Sequence, residues 1–191
     1  MRPLALAALA VLSSALATAT TVVQPTFQQL VSHAETVFEG VVLDVQSALT
    51  ADAGGRRIST SVTFQVVKVL KGDPSPVTVL TFLGGSVGNE TLNVDGVPKF
   101  VVGDRDVLFV NAHAQLVSPL VALMHGRFRI VKEPRTSRDV VYRFNSTTFS
   151  STSRLGAVEA ERAAPDQAMA LADFESQVVA EVERQKNERP R

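Results

Sequence analysis

Ile58-Ser59-Thr60-Ser61-Val62-Thr63-Phe64-Gln65-Val66-Val67-Lys68-Val69-Leu70-Lys71-Gly72 decides how the rest of the chain is read. Ile58, Thr60, Val62, Phe64 and Val66 alternate with polar neighbours, the two-residue period of a half-buried strand. At Val66-Val67 the phase slips, and Val67 and Val69 become the expected apolar positions. A one-residue slip inside a strand is what a β-bulge produces, and a bulge bends and twists the strand that carries it. A long bent strand suits a sheet that turns through a corner. The expectation is therefore a mainly β fold, an OB-like five-stranded barrel, with Phe64 among its most buried side chains.

Upstream, Thr36–Gln46 reads as a strand with Gly40 at a bend or close backbone approach. Residues 50–56 form the turn between the two strands. Thr26-x-x-Gln29 matches a capping box, so a short N-terminal helix is expected to end near His33 or Ala34. Downstream, Val77–Leu83 is a strand, and Gly84-Gly85-Ser86-Val87-Gly88 a glycine-rich loop. Asp95-Gly96 predicts a hairpin between Thr91–Val94 and Val97–Val102. Val107–Val110 is a further strand, and residues 115–126 an apolar loop packed on the barrel. An added β-hairpin pairs Phe128–Val131 with Val140–Phe144. Residues 145–165 are expected as a linker. A C-terminal amphipathic helix follows over 166–186, with Leu171, Phe174, Val178 and Val182 on one face and Asp173, Glu175, Glu181, Glu183 and Arg184 on the polar face. Residues 187–191 are a frayed tail.

Residues 1–19 have the order of a cleavable signal peptide: Arg2, an apolar run from Leu4 to Leu16, then the small-x-small sites Ala15-Leu16-Ala17 and Ala17-Thr18-Ala19. The run is too short to span a bilayer, which takes about 20 residues. Cleavage after Ala19 leaves Thr20 first, and residues 20–144 as the barrel domain with its hairpin. The expected localisation is secreted or periplasmic, with no membrane insertion after cleavage. Arg2 is the sole charged residue of the leader, so 18 basic side chains face 19 acidic ones in what remains. That balance argues against nucleic acid as a partner. Cysteine is absent, which excludes disulfides, thiol chemistry and cysteine-based zinc sites.

Gln24-Pro25-Thr26-Phe27-Gln28-Gln29 and Ala34-Glu35-Thr36-Val37-Phe38-Glu39-Gly40-Val41-Val42 resemble the opening of netrin-like domains, the group containing the tissue inhibitors of metalloproteinases. Val62 through Gly72 resembles their second-strand signature, and Phe100-x-x-Gly103-x-x-x-Val107-Leu108-Phe109 a later strand. The resemblance covers residues 24–112 and implies a five-stranded OB-type barrel. In those inhibitors a disulfide-pinned N-terminal cysteine places its amine and carbonyl on the protease zinc. Here Thr20 stands at the expected N-terminus and no cysteine exists to pin it, so the inhibitory device does not carry over.

Gly84-x-Ser86-x-Gly88 fits the G-x-S-x-G nucleophile elbow, which needs a strand-to-helix turn. The following residues read as a strand, so a barrel loop is expected. His33, His113 and His125 share no H-x-x-x-H or H-x-H spacing. Asp104 and Asp106, with Asp95, could form an oxygen-rich cation site, but such spacing is common on solvated strand faces. Arg127, Arg129, Lys132, Arg135, Arg138 and Arg143 outnumber Glu133 and Asp139 on the added hairpin. This could meet an acidic partner, or protect a sheet edge from aggregation. Asn89-Glu90-Thr91 and Asn145-Ser146-Thr147 are glycosylation sequons.

No catalytic, cofactor-binding or metal-binding residue set is assigned. The expected function is an exported, non-enzymatic binding module for an extracytoplasmic protein or carbohydrate partner. The alternatives are a secreted serine hydrolase using Ser86 and a metalloprotease inhibitor-like protein.

Overall fold

Thr26 starts the first helix, α1 (Phe27–His33), through the expected capping box. Its hydroxyl accepts the Gln29 N–H at 3.3 Å, while Gln29 Oε1 accepts the Thr26 N–H at 2.9 Å. Phe27, Leu30 and Val31 give the helix its buried face. At its far end Lys71 Nζ donates to the Val31 and Ala34 carbonyls, a basic cap on groups the helix leaves unpaired. The computed structural model describes residues 24–52, 55–111, 117–144, 146–156, 163–164 and 167–188. The stretch expected as a signal peptide, the expected new N-terminus Thr20, His113 and the tail from Arg189 lie outside them.

Strands β1 (Thr36–Asp52) and β2 (Gly55–Lys71) form a long antiparallel hairpin. Glu39 lies opposite Lys68 and Gly40 opposite Val66, so Val67 is the extra residue of a bulge, where the phase slip placed one. A second extra residue is Leu70, between the Val37–Lys71 and Phe38–Val69 pairs, and a third is Leu43 on β1. The expected inward turn of Val67 and Val69 does not occur: they are 55% and 47% exposed, and Leu70 is buried instead. Two slips three residues apart explain this, because the second re-phases the strand and carries Leu70 towards the helices. Gly40 is a close approach, as expected. A Cβ there would stand 3.0 Å from the Phe38 ring and 3.4 Å from Phe64 Cβ.

The remaining strands are β3 (Val77–Leu83), β4 (Gly85–Val87), β5 (Glu90–Leu92), β6 (Arg105–Val110), β7 (Arg127–Lys132) and β8 (Asp139–Arg143). Six make one antiparallel sheet in the order β3-β2-β1-β6-β7-β8, and β4 pairs only with β5. The fold is mainly β. Among the described residues the sheet is open, with β3 at one edge and β8 at the other. The gap beside β3 is bridged by the 117–121 segment: Leu83 N–H donates to the Val117 carbonyl, and Leu120 bridges Val110. The hairpin predicted around Asp95-Gly96 is not formed. The turn exists, but β5 pairs backwards with β4, and residues 93–104 run irregularly. Pro98 lacks the N–H a ladder needs, and Phe100 is drawn into the core instead.

Strand β6 separates two cores. Phe38, Val42, Val62, Phe64, Leu80, Phe82, Phe100, Leu108, Val110 and Leu120 fill the hollow of the curled sheet. Val107 and Phe109 face the other way, onto α1 and the C-terminal helix α2 (Leu171–Glu188). Phe174 of α2 is fully buried, with Phe27, Phe109, Phe128 and Phe149 around its ring. The helix therefore docks on the sheet. Its polar face is not all solvated: Glu175 and Glu181 are buried, and Glu175 Oε2 accepts from Lys68 Nζ at 2.7 Å.

The segment expected as a linker is, where described, part of the packed fold, since Phe149 and Leu155 belong to the helix-side core. The helix begins five residues later than expected because Met169 and Ala170 are held by backbone contacts to neighbouring strands and loops. Val141 N–H donates to the Met169 carbonyl, Met169 N–H donates to the Phe149 carbonyl, and Ala170 bridges Val140. This backbone shields the β8 edge. Among the described residues, no helix is long and apolar enough to cross a membrane.

Candidate functional site: a pocket at the end of the curled sheet

Beyond the Phe82–Phe100 end of the sheet-side core, a pocket of about 320 Å³ opens between β1, β2, the β4–β5 hairpin and the 93–100 segment. Val45, Val62, Phe82, Val97 and Phe100 provide its apolar lining. Ser47, Thr60, Ser86, Thr91, Asn93 and Lys99 supply the polar groups. The size falls in the range of about 300–1,000 Å³ typical of ligand sites, and an apolar lining with a few polar groups is their usual character.

Gly85 lets the hairpin close over this space. Its φ is +133°, and a Cβ there would meet Thr60 Oγ1 at 2.3 Å and Ser47 Oγ at 2.5 Å. Those two hydroxyls have a defined polarity. Thr60 donates its one proton to the Gly84 carbonyl at 2.7 Å, so in the 2.8 Å contact between Ser47 and Thr60 it is Ser47 that donates. Both protons are spent inside the protein. What the two oxygens offer a ligand is acceptor lone pairs. Ser86 and Thr91 face each other at 2.9 Å and need only one of their two protons for that contact. Among the described residues, Lys99 is the only charged one lining the pocket, with its amine 3.4 Å from Asn93 Oδ1.

Ser86 sits on β4, followed by a turn and β5, and not on a strand-to-helix turn. Of the described histidines, His33 is at the end of α1 and His125 stacks edge-on against Phe144, 5.0 Å between ring centres. Neither lines the pocket with Ser86. Asn89 lies exposed in the turn between β4 and β5, and Asn145 lies outside the described residues.

Asp104 and Asp106 come together, but on arginine. Arg127 donates from Nε to Asp106 Oδ1 at 2.7 Å, and from Nη2 to Asp106 Oδ2 at 3.0 Å and Asp104 Oδ2 at 2.9 Å. Its Nη1 reaches the Lys99 carbonyl at 2.6 Å, and its guanidinium lies 4.0 Å over the Phe100 ring. Arg129 adds a 3.0 Å bond to Asp104. The carboxylates that could have held a cation are thus neutralised by two arginines of the basic hairpin. Burial pushes the Asp106 carboxyl up, with the Arg127 fork pulling the other way. Among the described residues, no group of three or more His, Asp or Glu is placed to hold a metal ion.

The pocket was not legible in advance. Its lining comes from β1, β2, β3, the hairpin and the loop before β6, and only Gly84-Gly85 with Ser86 drew notice in the sequence. No protein-family model, curated protein or solved structure matches the chain.

Proposed function

We propose that the protein is an exported, non-enzymatic binding module of OB-like, netrin-like type that holds its partner in the pocket lined by Ser47, Thr60, Asn93 and Lys99. The observation that carries this reading is the pairing of an apolar floor with hydroxyl oxygens whose protons are already committed. A ligand gains there by burying an apolar group and donating N–H or O–H bonds. A protein partner that inserts an apolar side chain and its backbone amide satisfies both demands, in the manner of an interface anchor. A carbohydrate is the weaker fit. Sugar rings stack on exposed aromatic faces, whereas Phe82 and Phe100 are 2% and 8% exposed. The signal-like leader supports an extracytoplasmic setting, secreted or periplasmic.

The test is capture from the extracytoplasmic fraction by the mature protein and by Asn93→Trp, which fills the mouth from an exposed position. A partner recovered by the first and reduced at least tenfold with the second supports the pocket. Equal recovery by both, or no recovery under any crosslinking condition, removes it. The hydrolase reading has Ser86 beside an apolar pocket in its favour. Fluorophosphonate labelling lost in Ser86→Ala would establish it. The inhibitor-like reading requires that protein beginning at Thr20 slow a zinc protease at micromolar concentration.

A further inference from the structure

Strand β3 ends the sheet on one side, and its register fixes which backbone groups face outward. Val66 N–H donates to the Pro76 carbonyl and Gly84 N–H to the Ile58 carbonyl. These bonds flank an unbroken pairing that runs from Ser59–Leu83 to Gln65–Val77. Hydrogen-bonded and non-hydrogen-bonded pairs alternate along an antiparallel ladder. Thr78, Leu80 and Phe82 therefore bond to β2, while Val77, Val79, Thr81 and Leu83 turn their N–H and C=O groups to the free edge. Leu83 shows the direction, since its N–H donates to the Val117 carbonyl. Among the described residues, no strand pairs with Val77, Val79 or Thr81 on that side.

Natural sheets cover such an edge, charge it, kink it with a bulge or interrupt it with proline. The opposite edge obeys this: Met169 and Ala170 cover β8, which also carries Asp139 and Arg143. Val77–Leu83 has no charged residue, no proline and no register shift. Val77 and Val79 are 55% and 56% exposed. A groove of about 570 Å³ runs beside the strand, lined by Val77, Val79 and Thr81 together with Thr36, Val110 and Pro119. An edge of this kind takes an added strand, whose own backbone supplies the matching donors and acceptors.

We propose that the added strand is β3 of a second copy of this chain, paired antiparallel about a two-fold axis at Val79. The free stretch is 77–81, closed at one end by Pro76 and at the other by the Leu83–Val117 bond. Centred on Val79 it matches itself, with Val79 opposite Val79 and Val77 opposite Thr81 in both directions. Each pair exchanges two hydrogen bonds, about six in all. An axis at Leu80 keeps fewer, because Val77 then falls opposite Leu83, which Val117 already occupies. The β-branched side chains of Val and Thr meet across the outer face, where they suit a pleated surface. No charge on the strand repels its copy, and two-fold dimers are the commonest closed assembly. Residues 77–81 line no part of the partner pocket, so the two sites are independent.

The chain has no cysteine, so one introduced thiol reads the register. Val79→Cys brings two thiols together across the axis, with Cα atoms about 5.5 Å apart, inside the span a disulfide bridges. In Val77→Cys the two are offset by four residues, about 13 Å. Under mild oxidation the first variant should form a linked dimer at least tenfold faster than the second. In sedimentation the full chain should dimerise, and Val79→Pro should raise the dissociation constant at least tenfold. That proline removes an N–H from the free edge and none from the β2 ladder. Should it fail to fold, Val79→Lys replaces it, setting two like charges face to face at the axis. A wild type that stays monomeric at millimolar concentration overturns the proposal. So do equal linking rates in the two cysteine variants, or undiminished dimerisation in the folded position-79 variant.

Discussion

Asp106 has no exposure to solvent, and its bidentate fork with Arg127 runs under the Phe100 ring. A buried pair of this kind adds little net stability, because desolvation offsets most of the attraction, but removing one member strands the other. Asp106→Asn should therefore cost about 3–5 kcal/mol in urea unfolding. A loss under about 1 kcal/mol would mean that Asp104 alone satisfies Arg127. Phe64 is equally enclosed, edge-on to both Phe38 and Phe100, and Phe64→Ala should cost about 3–5 kcal/mol by the same measurement. Asp139 behaves differently, because it is partly solvated. The Lys132 hydrogen bond, then Arg105, holds its carboxyl below the usual range. A carboxyl depressed in the folded state stabilises fully above its unfolded value of about 3.9 and loses that stabilisation as pH falls through the folded value. Wild type should therefore exceed Asp139→Asn in Tm at pH 7, and the gap should shrink towards zero near pH 2. A gap independent of pH would show that the carboxylate's charge is not the cause.

Helix α2 shows how far an element's role exceeds its own pattern. Its stripe of Leu171, Phe174, Val178 and Val182 was readable from spacing alone, and all four are buried. Truncation after Ser153 removes them together with Leu155 and Met169, so the shortened chain should lose cooperative thermal unfolding. Retention of the full Tm would contradict the packing described. Local rules were legible where one residue's chemistry sufficed: the Thr26–Gln29 box, the close approach at Gly40, the slip at Val66-Val67. They failed where a distant surface decided. Asp95-Gly96 does turn, but the β5 ladder goes to β4, because Pro98 and Phe100 withdraw the following segment. Phe149 stands among Ser and Thr residues that read as a tether, and it is the aromatic rings of β7 and α2 that hold it in the core. Glu175 reads as solvent-facing until Lys68, more than a hundred positions earlier, is placed beside it.

At the scale of the molecule, composition set the class and the absence of cysteine set the means, but the site emerged only when five separate stretches met. A pocket whose polar groups, Ser47, Thr60, Ser86, Asn93 and Lys99, come from different strands and loops leaves no spacing motif to find. The two cores also differ in the span of chain they need. The sheet-side core draws on residues from Phe38 to Leu120, whereas the helix-side core requires both Phe27 and Val182. During synthesis the second cannot close until α2 has left the ribosome, so the α1 side of the sheet stays uncovered after the sheet-side residues have emerged. Until then a nascent chain leaves the apolar face of α1, Phe27, Leu30 and Val31, without the partner that buries it. Pulse proteolysis of ribosome-bound chains halted near residue 160 should cut the α1 region freely, while the β1–β3 region gains protection first. Full protection of both at that length would show that the helix-side core closes without α2.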